Sequence, residues 1–291
     1  MRFGGYLAGI GPATHYGFAN WYEGLEFQVD WAKRLGWRCF APSGFGEWSR
    51  EQRRETVTRL AARDLVLPGL GAYHLNITHP DPAHRGAQVK AVQGIVEEAA
   101  DYGVASVETI AGTWNPQGGH LYYPGNKSEE AWRIFIASCR AICDTCTGTG
   151  VRFILEPYQM TLLDGPASLK RAVDEVDRPD EIGINFDLVN LITIERYYDI
   201  TALIDEVLAA AGPFIQMVHF KDIKYVSDLT VRMDEVPPGD GNVDFIHWLR
   251  GLKRLNRDIP AFIEHLRDMT QMTAAWTTVR NAAAAAGFST D

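Results

Sequence analysis

The chain is short of basic charge. Lys and Arg total 28 against 37 Asp and Glu, a formal net charge of −9 over 291 residues. Non-specific binding to nucleic acid needs a basic face, so a phosphate-rich partner is disfavoured. No Gly-rich phosphate loop and no basic cluster point to a phosphorylated ligand. No apolar run reaches the roughly 18 residues that a membrane span requires, and the glycines in MRFGGYLAGIGPATHYG argue against a signal peptide there. Cysteine is also scarce. The four present, Cys39, Cys139, Cys143 and Cys146, give no spread-out disulfide framework, and a reducing cytoplasm is the expected compartment. No linker or low-complexity segment divides the chain, so residues 1–291 are expected to form one domain.

Strand-like and helix-like segments alternate eight times. The strands are expected at 4–10, 37–41, 65–74, 105–110, 151–156, 182–187, 214–219 and 261–264. The helices between and after them are expected at 25–35, 51–64, 87–102, 128–146, 166–176, 196–211, 244–255 and 270–285, several with a clear apolar face such as Leu25, Val29, Ala32 and Leu35. Residues 220–243 read as a long loop. Eight β-α units at this length predict an α/β fold, a single (β/α)₈ TIM barrel, with its site at the C-terminal ends of the strands.

Four apolar runs in the second half carry a metal-compatible residue at that end: VRFILE at Glu156, IGINFD at Asp187, FIQMVH at His219 and PAFIE at Glu264. Each alone could be an ordinary strand end. Together they offer hard oxygen and borderline nitrogen donors, a set suited to Mn²⁺, Mg²⁺, Co²⁺ or Zn²⁺. Carboxylates gathered at one place repel each other and lose hydration, and a cation removes that conflict.

The segments ILEPY, FDLVN, MVHFKD and FIEH, with PGDGNVDF before the last strand, resemble the sugar phosphate isomerase/epimerase barrels of the xylose isomerase-like superfamily. That group includes ketose 3-epimerases, hydroxypyruvate isomerase and inosose dehydratase. The resemblance implies that Glu156, Asp187, His219 and Glu264 hold a divalent metal, Mn²⁺ first, and that Glu156 and Glu264 are the catalytic acid/base pair. It implies proton abstraction beside the carbonyl of a small carbohydrate or keto-sugar, through a metal-stabilised enediolate. A lyase on the same site is the alternative: an inosose-type dehydratase or a keto-glycoside-cleaving enzyme. Homo-oligomers are common among such relatives. One position departs from the pattern. Where many members have a histidine three residues after the strand-six aspartate, this chain has Asn190, a substrate-binding candidate that can hydrogen-bond a substrate hydroxyl but cannot serve as a base. The same lack of histidines weakens an endonuclease reading, and the acid/base glutamates weaken that of a non-catalytic sugar binder.

Further candidates follow from placement. Lys221 and Asp222, just after His219, are expected either to contact substrate hydroxyls or support the metal ligands, or to pair with each other at the surface. His74 and Glu108, read as the ends of strands three and four, and Trp114 beyond strand four are further substrate-binding candidates. His15, Tyr16, Phe18, Trp21, Tyr22, Trp48 and Trp114 make the loops aromatic, suited to stacking on a sugar or aglycone. Cys139, Cys143 and Cys146 have an iron–sulfur-like spacing, but they continue the buried stripe of Trp132, Phe135 and Ile136 and read as small hydrophobes.

Overall fold

The computed structural model describes residues 1–6, 20–266 and 268–289. Its main sheet has eight strands: β1 (Arg2–Tyr6), β2 (Cys39–Ala41), β3 (Leu70–Gly71), β4 (Ser106–Ile110), β5 (Arg152–Glu156), β6 (Ile182–Asp187), β7 (Ile215–Phe220) and β10 (Pro260–Ile263). A hairpin of β8 (Asp222–Val226) and β9 (Arg232–Val236) forms a second, antiparallel sheet. The helices are α1 (Trp21–Arg34), α2 (Arg50–Ala61), α3 (Pro82–Tyr102), α4 (Glu129–Cys146), α5 (Pro166–Val176), α6 (Ile200–Ala211), α7 (Phe245–Arg254) and α8 (Met269–Ala285). The strand order β2-β1-β10-β7-β6-β5-β4-β3, with parallel pairing, for example β1 with β10 and β4 with β5, is that of a TIM barrel.

The chain falls into two compact units. The first comprises Met1–Pro68, Ile194–Ile204 and Val218–Asp291. Its core is aromatic: Phe3 lies 6.4 Å from Phe220, 6.1 Å from Trp276 and 5.7 Å from Phe288 between ring centroids, and Phe220 meets Trp248 edge-on at 5.1 Å. Gly5 lets Trp37 approach β1; a Cβ there would lie 2.4 Å from that ring. The second unit comprises Gly69–Thr193 and Asp205–Met217. There α4 starts at Ser128, whose hydroxyl accepts the Ala131 amide, and buries Trp132, Phe135, Ile136, Cys139, Ile142, Cys143 and Cys146 on one face. Burial pushes the thiols of these three cysteines up, that of Cys146 to about 12. They stay protonated and pack as apolar groups, as their helical spacing predicts.

The departures from expectation have local causes. Strand three shrinks from 65–74 to Leu70–Gly71, with one bridge from Val66 to Cys39, because Pro68 has no amide to donate and Gly69 and Gly71 interrupt the run. The sixth helix begins at Ile200 after a separate 3₁₀ turn, Arg196–Tyr198. The expected loop at 220–243 contains the β8–β9 hairpin. Every residue of β9 is exposed or half-buried, and its sequence lacks the apolar alternation that marks a strand with one buried face. Residues 7–10 of the expected first strand, and His15, Tyr16 and Phe18, lie outside the described residues. Trp21, Tyr22, Phe45 and Trp48 contact one another, with Trp48 5.6 Å from Trp21 and 5.9 Å from Phe45.

The base of the hairpin is held by a single carboxylate. Asp222 is buried, and its Oδ1 accepts the amides of Ile223 at 2.8 Å and Val243 at 3.0 Å. Its Oδ2 accepts those of Gly239 at 3.0 Å and Gly241 at 3.1 Å. Burial raises this carboxyl above its ordinary value, and the four amide bonds offset only part of that. Asp222→Ala leaves four loop amides without their acceptor. It is expected to cost about 3 kcal/mol, read as a lower urea midpoint with an unchanged slope; a loss under about 1 kcal/mol would show that water replaces the carboxylate.

Candidate metal centre

Glu156 is the last residue of β5 and Asp187 the last of β6. Both are buried, at positions where uncompensated charge is costly. Three donors converge on Glu156. Asn190 Nδ2 donates to Oε1 at 2.7 Å. Asn185 Nδ2 donates to Oε2 at 3.0 Å, and the Tyr73 hydroxyl donates to the same oxygen at 2.7 Å. Asn185 precedes Asp187 by two residues on β6, so both side chains project from one face of the strand. After Asp187 the chain enters a 3₁₀ turn, Val189–Leu191, which brings Asn190 back: its amide N–H reaches Asp187 Oδ1 at 3.2 Å while its side chain reaches Glu156.

His219 lies on β7 opposite Phe262 of β10, and Glu264 follows β10 directly. His219 Nδ1 is 3.1 Å from Glu264 Oε1, and Lys221 Nζ is 2.8 Å from the same oxygen. The hairpin adds Glu235. Its Oε1 lies 2.9 Å from His265 Nδ1, and its Oε2 lies 4.0 Å from Lys221 Nζ; His265 Nε2 is 3.7 Å from Glu264 Oε1. Burial alone would push the Glu264 carboxyl up. The charges of His219 and Lys221, the hydrogen bond from His219 and the charge of His265 outweigh it and hold the carboxyl well below the usual carboxylate range. The hydrogen bond to Glu235 lifts the His265 imidazole above its ordinary value, against the effect of burial.

One ligand atom each from Glu156, Asp187, His219 and Glu264 lies within 4.8 Å of all the others. Three carboxylates and one imidazole at that separation are a donor set that a divalent cation fits, with no soft sulfur ligand.

The remaining candidates fall in several places: Lys221 lies beside a proposed ligand, as support of the metal ligands requires, and Trp114 lies beyond β4 as expected. The reading of Lys221 and Asp222 as a mutual surface pair is corrected: both are buried, Lys221 beside Glu264 and Asp222 in the loop amides. Asp222 therefore has its carboxylate committed to the backbone. Asn190, expected to meet a substrate hydroxyl, gives its side-chain N–H to Glu156. His74 does not end a strand; it is exposed in the turn after β3, and its neighbour Tyr73 is the residue that reaches Glu156. Glu108 is the third residue of β4, two before its end, and is half-buried. Trp114 is half-buried, with its backbone N–H donated to Asn126 Oδ1 at 2.7 Å. Tyr73, Asn185, Glu235 and His265 were missed. The period-two relation of Asn185 to Asp187 was a readable signal for the first strand face. Glu235 required the hairpin to be recognised.

A family model described as xylose isomerase-like TIM barrel matches residues 29–286. A search of curated protein sequences returned no match. Among solved structures, the chain is similar to a xylose isomerase-like TIM barrel protein from Mycobacterium smegmatis in complex with magnesium, at 17% identity and a TM-score of 0.70, over 98% of this chain and 96% of that one. It is similar to D-psicose 3-epimerase with D-tagatose from Clostridium cellulolyticum H10, at 15% identity and a TM-score of 0.73, over 97% and 99%. It is also similar to the probable 3-DHS dehydratase involved in petrobactin synthesis from Bacillus anthracis, at 15% identity and a TM-score of 0.70, over 96% and 98%. At these identities the likeness is one of fold.

Proposed function

The chain belongs to the family of xylose isomerase-like TIM barrels, and on that premise we propose that it is a divalent-metal-dependent enzyme that removes a proton beside the carbonyl of a keto or aldo sugar. Glu156, Asp187, His219 and Glu264 hold the ion in this reading, Mn²⁺ first. The observation that carries it is their approach to within 4.8 Å. When bound, the ion supplies positive charge to the oxygen on which negative charge develops. The chain's own groups do the rest. Tyr73, Asn185 and Asn190 orient Glu156, Lys221 and His219 orient Glu264, and a glutamate exchanges the proton with carbon.

Isomerisation or epimerisation is the first outcome. Elimination on the same site, with loss of water or an alcohol, is the second. Asn190 leans toward it, because an asparagine where relatives have a histidine cannot serve as a base and so weighs against inversion at carbon. The substrate in either case is a small carbohydrate; neither nucleic acid nor a membrane enters this reading. No helix among the described residues is long and apolar enough to cross a membrane.

The test is metal analysis of the purified protein beside Glu156→Gln and His219→Ala. Occupancy by Mn²⁺ in dialysed wild type, and a fall of at least about tenfold in affinity in both variants, is the expected result. Unchanged metal content in both would remove the site.

A further inference from the structure

Among the described residues, Asp64, Asp177, Asn256 and His265 adopt left-handed backbone without being glycine. The first three are Asp or Asn at or just past the C-termini of α2, α5 and α7, where that conformation is common. His265 is the exception. It follows the end of β10, next to the candidate ligand Glu264, with φ +59°. Backbone in a sparsely populated region persists where its surroundings hold it, and such positions gather at functional sites. Successive residues of an extended strand project to opposite sides. The turn at His265 instead brings its ring back toward its neighbour, with Nε2 3.7 Å from Glu264 Oε1. Its Nδ1–H donates to Glu235 Oε1 on β9 at 2.9 Å. Glu235 Oε2 lies 4.0 Å from Lys221 Nζ, which lies 2.8 Å from Glu264 Oε1.

Glu264, Lys221, Glu235 and His265 thus form a ring in which each carboxylate stands between two nitrogen groups. All four belong to the first compact unit. The inner half, Glu264 and Lys221, is buried. The outer half is not: the side chains of Glu235 and His265 are 36% and 54% exposed. The register of the hairpin sets that outer half. Val236 pairs with Asp222 and Glu235 with Ile223, so Glu235 stands one residue from the point where Asp222 gathers the loop amides. Resting on the proposed metal centre, we infer that Glu235 and His265 are positioning residues for Glu264: through them the β8–β9 hairpin sets the affinity of a site to which it gives no ligand. A glutamate has several torsions to freeze before it can serve as a ligand, and partners that freeze them in advance raise affinity. The left-handed turn is what lets His265 reach both its neighbour and the hairpin.

The experiment is calorimetric titration of the dialysed full chain with Mn²⁺, a readout independent of turnover, with folding followed by circular dichroism. Glu235→Ala and His265→Asn each remove one partner of the outer pair; asparagine is at ease in the left-handed backbone. Each is expected to stay folded and to lose about 10–100-fold in affinity. The double variant is expected to lose no more than about threefold beyond the weaker single one, because both act through one hydrogen bond. Glu235→Gln keeps an acceptor for the imidazole N–H and is expected to restore affinity to within about threefold of wild type. Arg232→Ala is the control on the same strand. Its side chain pairs with Asp228 and Asp234, and its affinity is expected to be unchanged. Unchanged affinity in both Glu235→Ala and His265→Asn overturns the positioning role and leaves the metal centre standing. Losses that multiply in the double variant, no recovery in Glu235→Gln, or an equal loss in Arg232→Ala overturn it as well. Wild type that takes up no Mn²⁺ overturns the metal centre, and this inference with it.

Discussion

Glu264→Gln is expected to lower proton exchange with any substrate by about 10²–10⁴-fold, the usual contribution of a positioned base, and to weaken Mn²⁺ binding in the same protein. The amide keeps the shape of the side chain but cannot accept a proton from carbon, and it removes one anionic ligand. Solvent exchange in D₂O and calorimetric titration with Mn²⁺ separate the two losses. If exchange at saturating Mn²⁺ stays within about threefold of wild type, Glu264 is a ligand only and another group is the base. The same carboxyl sets a pH dependence of folding. Its titration in the folded chain lies below that of an unfolded glutamate, about 4.3, so its contribution to stability is complete above that value and lost as the pH falls below it. Urea midpoints of apoprotein between pH 3 and 6 should show this acid-side loss in wild type, and a smaller one in Glu264→Gln.

Lys221→Met carries the second large effect. Lys221 is 2% exposed and its ammonium lies 2.8 Å from Glu264. Methionine fills a similar volume, but it leaves the anion buried beside His219 with one fewer positive charge. Breaking a buried pair from one side costs about 3–5 kcal/mol, because the remaining ion stays desolvated. The apoprotein should lose stability on that scale in urea. Added Mn²⁺ should recover part of it, since a bound cation supplies charge to the same cluster and stabilises the folded chain by mass action. A loss below about 1 kcal/mol would mean that Glu264 is neutralised or rehydrated in the variant.

What could be read in advance followed the periodicity of the chain. The buried strand β6 and the helix α5 stand where they were expected, residue for residue, because a run of buried apolar residues and a first-turn proline are strong local signals. Glu156, Asp187, His219 and Glu264 could be grouped because parallel strands share a C-terminal end, and strand ends are legible. The partners of those residues were not. Tyr73 reaches Glu156 from a turn 83 residues earlier in the chain, and Asn190 folds back through a 3₁₀ turn that has no distinctive composition. Lys221 and Asp222 look alike in sequence, adjacent and oppositely charged, which suggested a pair. Adjacent residues on an extended chain point to opposite sides, and each found a partner remote from the other. The hairpin stayed hidden for a different reason: a strand exposed on much of its surface carries no apolar stripe to betray it.

The clasp at Asp222 divides its segment into two kinds of territory. Gly241 could not carry a side chain without a Cβ 2.2 Å from Asp222 Oδ1, and Gly239 adopts φ +104°, a conformation reserved for glycine. Gly241 can change only in concert with the aspartate, and Gly239 is fixed by its own backbone and by Thr278, 2.7 Å from where a Cβ would lie. At the other end the hairpin turns through Leu229, which is fully exposed. Residues 227–231 can therefore drift in length and composition while the fixed base keeps Glu235 at its station beside Lys221 and His265, so the tip of the hairpin is free to vary where its root is not.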